Sequence, residues 1–135
     1  MLWPSPSRRL VDQRVRNRIM EAILGLTAGD ADVDEAGATE WFEGFFDYFP
    51  YEGPAVRDVT AISDEEWAAL AALLLLMQAA CRETPSNISE AELKASGWPA
   101  RIAPIAAETL SVFLVRGRFS EELEEQTPSS PIPWP

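Results

Sequence analysis

D-E-E-W-A-A-L-A-A-L-L-L-L-M-Q-A-A-C-R, residues 64–82, decides the fold class. Ser63 with Glu66 three residues later forms a capping box, and Asp64 and Glu65 suit the positive end of a helix. Trp67, Leu70, Leu73, Leu74, Met77 and Cys81 then fall on one side at helical spacing, while Leu75 and Leu76 point elsewhere. A helix apolar nearly all round is expected to be a central one, wrapped by neighbours. The run is too short to span a bilayer and is flanked by D-E-E and R-E. T-P-S-N (84–87) breaks it.

Upstream, residues 41–51 (W-F-E-G-F-F-D-Y-F-P-Y) hold seven of the chain's thirteen aromatic residues. Wound as a helix, Trp41, Phe42, Phe45, Phe46, Tyr48 and Phe49 occupy an arc of roughly 160°, and Glu40, Glu43 and Asp47 fall together on the opposite side. That amphipathic pattern points the rings into the domain's own core, because an exposed patch of six rings exceeds what soluble monomers tolerate. Pro50 ends the helix and Y-E-G-P (51–54) reads as a turn. Tyr48, at the edge of the arc, and Tyr51, beyond the helix end, are expected to keep their hydroxyls exposed.

An earlier helix from about Ser7 to Leu26 carries Val11, Val15, Ile19, Ala22, Ile23 and Leu26 as its apolar stripe and stops at Gly25 and T-A-G (27–29). Downstream, Ser89 and Glu92 form a second capping box for a short helix closed by Gly97. W-P-A-R-I-A-P-I (98–105) reads as one turn followed by a new helix with Pro104 near its start, running to about Arg116 and stopped at Gly117. F-S-E-E-L-E-E (119–125) adds a final turn capped by Ser120. The only extended signal is the weak A-V-R-D-V-T-A-I (55–62), and no internal repeat is visible. The expectation is an all-α single domain over residues 7–125, about five helices around residues 64–82. A Pro-rich lead-in (1–6) and a Pro-rich tail (126–135) flank it, and their Trp3 and Trp134 are expected to dock on the protein's surface or on a second copy.

Charge narrows the function classes. The 135-residue chain carries a formal net charge of −11. Residues 1–20 hold five arginines against one aspartate, leaving six basic and 21 acidic residues for the rest. So acidic a body repels nucleic acid and anionic lipid and favours a basic protein partner or plain solubility. Arg14, Arg16 and Arg18 are too few for nucleic acid; their stems are expected to cover apolar surface while their heads meet carboxylates, including those of the acidic segment 29–35. The basic, lysine-poor usage (ten Arg, one Lys) resembles that of a GC-rich bacterial genome. S-R-R-L-V (7–11) mimics a twin-arginine export motif, but polar D-Q-R-V-R-N-R follows in place of an apolar region, so a cytoplasmic location is expected.

Few residues point to chemistry. There is no histidine, which removes the commonest general base and transition-metal ligand, and the single cysteine, Cys81, has no disulfide partner and no activating base. No P-loop, G-x-S-x-G or G-x-G-x-x-G occurs. Asp30, Asp32 and Asp34 in G-D-A-D-V-D-E (29–35) invite a calcium-loop reading, yet starting at Asp30 puts Glu35 at the glycine position and Trp41 at the closing glutamate. Starting at Asp32 places Gly37 and Glu43 correctly but Ala36 and Thr39 wrongly, so an acidic solvated loop is the simpler reading. Glu40, Glu43 and Asp47 share a helical face that would suit magnesium, but the matching E-x-x-D is absent.

No enzyme and no cofactor are therefore expected. The residues support a small acidic protein-binding domain, an inhibitor or toxin-immunity-like protein that engages a basic partner through Glu40, Glu43, Asp47, Tyr48 and Tyr51. A self-associating structural or regulatory domain, dimeric through its Pro/Trp termini, is the alternative, and a carboxylate-based metal protein or enzyme the third.

Overall fold

The computed structural model describes residues 5–47, 59–130 and 134–135. Among them the chain forms six helices and no strand: α1 (Arg8–Leu24), α2 (Asp30–Ala36), α3 (Ala38–Phe46), α4 (Asp64–Glu83), α5 (Glu90–Ala95) and α6 (Trp98–Leu114). The all-α bundle expected from the sequence is what forms. No helix among the described residues is long and apolar enough to cross a membrane.

Both capping boxes are made. Ser63 Oγ accepts the Glu66 N–H at 3.2 Å while Glu66 Oε1 accepts the Ser63 N–H at 3.0 Å, and Ser89 with Glu92 repeats the exchange at 3.1 Å in each direction. Each satisfies two helix-end donors that would otherwise lack partners.

Three elements differ from the sequence reading. The acidic segment is not a loop: Asp30–Ala36 is a two-turn helix, separated from α3 by Gly37 alone. Gly37 has φ of 88°, a backbone region that side chains disfavour, and this lets one helix stop and the next begin without a connecting loop. Residues 98–114 form one continuous helix rather than a turn and a helix. Pro99 lies in its first turn, where no N–H is required, and Pro104 and the Ala100 carbonyl it leaves unbonded are both on the exposed side, where water replaces the lost bond. Residues 119–125 are not a helical turn. Ser120 Oγ accepts the N–H groups of Glu122 (3.1 Å) and Leu123 (3.0 Å), but the chain there stays irregular. Of the weakly extended 55–62, the described part (59–62) is a turn closed by Ile62 N–H to the Val59 carbonyl at 3.1 Å.

α4 and α6 run antiparallel as the main packed pair: Glu66 meets Arg116 just beyond the far end of α6, and the Thr109 hydroxyl reaches the Ala69 carbonyl. Leu70, Leu73, Leu74, Met77 and Ala80 of α4 and Ile102, Ala106, Leu110 and Phe113 of α6 form the core with Ile19, Met20 and Ile23 of α1 and Trp41 and Phe45 of α3. α6 also packs against α1, α2 and α5, whereas α4 turns Ala68, Ala72 and Leu75 outward, with Leu75 67% exposed. α4 thus reads as apolar all round because its outer face is built of alanines and one leucine, and α6 is the helix with the most neighbours.

The buried side of α1 is the largest surprise. Ile19, Met20 and Ile23 are core, as the stripe predicts, but Val11 is 40% exposed and the other buried positions are Asp12, Gln13, Arg16 and Asn17. Their partner is not a helix. Residues 117–130 leave α6 at Gly117, run back across α1 and present main chain to it, so this surface must supply hydrogen bonds rather than apolar contact.

Candidate functional site

The strap formed by residues 117–130 explains most of the chain's cations. Gln13 Nε2 donates to the carbonyls of Ser120 (3.0 Å) and Leu123 (2.8 Å), and its Oε1 accepts the Glu125 N–H at 2.8 Å. Asn17 makes both main-chain bonds to Phe119, at 3.0 and 3.2 Å. Arg9 donates twice to the Glu125 carbonyl and Arg14 once to that of Glu121. Arg18 pairs with Glu21 and, at 2.6 Å, with Glu121, and Arg118 reaches Glu21 at 3.0 Å. The Trp134 ring lies 4.6 Å below the Arg118 guanidinium, so this end of the tail docks on its own chain. Trp3 lies outside the described residues.

Beneath the strap sits a buried ion cluster. Glu66 is 1% and Arg16 0% exposed; Arg16 Nη2 meets Glu66 Oε2 at 2.7 Å, and Arg116 Nη2 meets Oε1 at 2.6 Å. Arg16 also donates to the carbonyls of Phe113 (3.1 Å) and Gly117 (2.7 Å). The Phe119 ring lies 5.0, 5.1 and 5.4 Å from the guanidinium carbons of Arg9, Arg16 and Arg116. Burial pushes the Glu66 carboxyl up, but hydrogen bonds from Arg116, Arg16 and the Ser63 N–H outweigh it and hold the group at about 2. Burial lowers Arg16 from its ordinary value against the pull of Glu66. A carboxylate this acidic, with its oxygens engaged, is a poor proton acceptor at neutral pH, so the cluster is a structural device rather than a catalytic one. The sequence marks Glu66 only as a capping acid, and nothing in it announces the two arginines.

The acidic triad proposed for calcium does not converge. On α2, Asp30 and Asp34 share a face and Asp32 points to the other side. Asp34 pairs with Lys94 at 2.6 Å, and Asp32 Oδ2 accepts the Ala28 N–H at 2.7 Å; burial still raises the Asp32 carboxyl above its usual range. Of the arginines expected to meet this segment, Arg16 pairs with Glu66, Arg18 with Glu21 and Glu121, and Arg14 donates to the Glu121 carbonyl. Among the described residues, no group of three acidic, cysteine or histidine side chains is arranged to hold a metal.

Glu40, Glu43 and Asp47 do share one surface. α3 buries Trp41 and Phe45, half-buries Phe42 and Phe46, and turns the three carboxylates to solvent along one ridge. None of the three forms an ion pair among the described residues, in contrast to Glu21, Asp34, Glu66 and Glu121. A groove lies on each flank of the ridge. The one between α1 and α3, about 360 Å³, is lined by Arg18, Glu21, Glu40, Trp41, Gly44 and Asp47. The other, about 410 Å³, is the more apolar; Phe42, Glu43, Phe46, Cys81, Thr84 and Ile88 line it. Cys81 is thus a half-buried groove residue. Tyr48 and Tyr51 lie outside the described residues.

Compared with protein-family models, curated proteins and solved structures, the chain matches none at a significant level.

Proposed function

We propose that the chain is a non-enzymatic binding domain that engages a basic protein through the acidic ridge of α3. The observation that carries this reading is the division of charge. Arg9, Arg14, Arg16, Arg18, Arg116 and Arg118 are engaged by the strap, by Glu21 or by Glu66, and Lys94 by Asp34, while Glu40, Glu43 and Asp47 stand exposed and form no ion pair among the described residues. Exposed like charges one turn apart weaken their own helix, a cost that a cationic partner reverses. They also raise the rate of encounter with such a partner and make binding salt-sensitive. An inhibitor or immunity-like role is the form of basic-partner binding this surface suits.

The test is affinity capture from a lysate of the source organism with the natural chain and with the triple variant Glu40→Lys, Glu43→Lys, Asp47→Lys. The expected result is one stoichiometric basic protein, released as salt rises and lost from the triple variant, with binding weakened by about 100-fold or more. Equal capture by both chains overturns the reading.

The outer face of α4 favours a second one, self-association: Ala68, Ala72 and Leu75 leave apolar surface in water along successive turns. Its signature is a solution mass of two chains with no partner present, removed by Leu75→Glu.

A further inference from the structure

Gly44 stands in the middle of α3, half-buried on the side that carries the carboxylates, where nothing in the fold asks for glycine. A Cβ built there meets no atom within 4 Å, and its backbone is ordinary helix. Glycine in a helix interior is the least favourable residue short of proline. Moreover Glu40 lies four residues before it and Asp47 three after, the two spacings at which side chains on a helix touch. A lysine or arginine at 44 would pair with both carboxylates and strengthen the helix. The chain leaves that position empty in the lining of the α1–α3 groove, between two acids that form no ion pair among the described residues.

A second, independent feature belongs to a residue that lines the same groove. Trp41 is 2% exposed, and its Nε1–H is the one buried side-chain donor or acceptor among the described residues with no hydrogen-bond partner. Buried indole N–H groups normally find an acceptor, and leaving one without is unfavourable. Among the described residues the groove's one cation, Arg18, is already paired with Glu21 and Glu121, so it does not neutralise Glu40 or Asp47.

We propose that the α1–α3 groove is a seat for an arginine or lysine side chain presented by a partner segment. Its aliphatic stem lies over Gly44, its charged head sits between Glu40 and Asp47, and a carbonyl of the same segment is the acceptor that Trp41 lacks. This rests on the reading of α3 as a surface for a basic protein and narrows it to one groove and one kind of anchor. Glycine at 44 is then what keeps the seat open.

The test uses the ¹⁵N-labelled full chain, titrated with the blocked tripeptide acetyl-Gly-Arg-Gly-amide and with its neutral citrulline analogue. The expected result is a shift of the Gly44 amide and the Trp41 indole N–H signals at about 10 mM arginine peptide, a range suited to a single exposed anchor. The citrulline peptide should act at least about fivefold more weakly, the loss of a charge-assisted contact. Gly44→Lys supplies the cation from within and Gly44→Leu fills the space without charge. Both should abolish the response while raising Tm by about 3 °C, since each replaces a helix-interior glycine. Lack of response at Gly44 and Trp41, or a response that survives both substitutions, overturns the proposal. So does finding that Arg57→Gln alone shifts the Gly44 signal, which would mean that the chain fills its own groove. Lysate capture separates this from the broader reading. A basic protein lost from the triple lysine variant but kept by Gly44→Leu leaves the ridge standing and removes the groove; one kept by both removes the two together.

Discussion

Glu66→Gln is expected to destabilise the protein by about 3–5 kcal/mol, the cost of breaking a buried pair by removing one partner. Glutamine retains the shape and can still accept the Ser63 N–H, so the capping box is largely preserved and the loss isolates the charge. What remains is Arg16, wholly buried, with its positive charge met by the Phe113 and Gly117 carbonyls and by ring faces but by no carboxylate, and Arg116 beside it repelling it. For a domain of this size that loss corresponds to a fall in Tm on the order of 10 °C. Urea titrations of the two proteins at neutral pH measure it directly. Arg16→Met combined with Glu66→Leu removes both charges from the buried site and should recover much of the stability, because desolvation weighs against a buried pair as heavily as attraction favours it. A loss below about 1 kcal/mol for Glu66→Gln would place the pair among ordinary surface ion pairs and contradict the burial.

The same carboxylate sets the acid limit of the fold. Its folded value of about 2 lies below the ordinary 4.5, so it binds fewer protons folded than unfolded. Its stabilisation, on the order of 3 kcal/mol, is complete above pH 4.5 and disappears as the pH falls from 4.5 to 2. Glu125, lowered by hydrogen bonds from Ser129 and Ser120 that outweigh burial, acts in the same direction; Asp32, raised by burial, acts in the opposite one. Because Glu66→Gln lacks the titrating group, its stability difference from the natural chain should shrink steadily through this window and vanish near pH 2. A difference that stays constant would mean that the carboxylate is not the source.

The helices were legible in the sequence because their signals are local. Two Ser-x-x-Glu boxes, the aromatic arc of α3 as far as Phe46 and the apolar run of α4 each lie within a few turns, and each appears in the structure at the described residues that carry it. The errors share a different cause. A polar segment rich in aspartate reads as a loop, yet 30–36 is helical because Val33 is buried and Lys94 draws Asp34 onto α5. Two prolines suggested a break in α6, but both fall where the helix has no hydrogen bond to lose to the core. The polar face of α1 was invisible because its partner is main chain about a hundred residues away: no periodicity records that Gln13 and Asn17 bind the backbone of residues 119–125. On the candidate surface, the shared face of Glu40, Glu43 and Asp47 follows from spacing alone. That no described cation pairs with them depends on where those cations end up in the fold, which spacing does not encode.

Phe119→Ala, the second large effect, should cost about 3–5 kcal/mol. Its ring is the only fully buried large apolar side chain of the strap, since Leu123 is 72% exposed and the rest of 117–130 is held by polar contacts. Truncation opens a cavity against Arg16 and removes the ring face that three guanidinium groups share. The Asn17 and Gln13 bonds to the strap are then exposed to water, where each contributes far less. Leu123→Ala is the control and should lie within about 0.5 kcal/mol of the natural chain. Hydrogen exchange gives the more specific readout: in Phe119→Ala the amides of Phe119 and Glu125, which donate to Asn17 and Gln13, should exchange faster than those of α4 and α6. Uniform acceleration across the chain would mean instead that the strap and the bundle unfold together. Selective loosening has a consequence for the acidic ridge. It releases Arg9, Arg14 and Arg18 from the strap's carbonyls and from Glu121, and Arg18 already lines the groove beside Glu40. A freed Arg18 would compete there with any cation from outside. Phe119→Ala is therefore expected to weaken the arginine-peptide response at Gly44 although Phe119 does not line the groove.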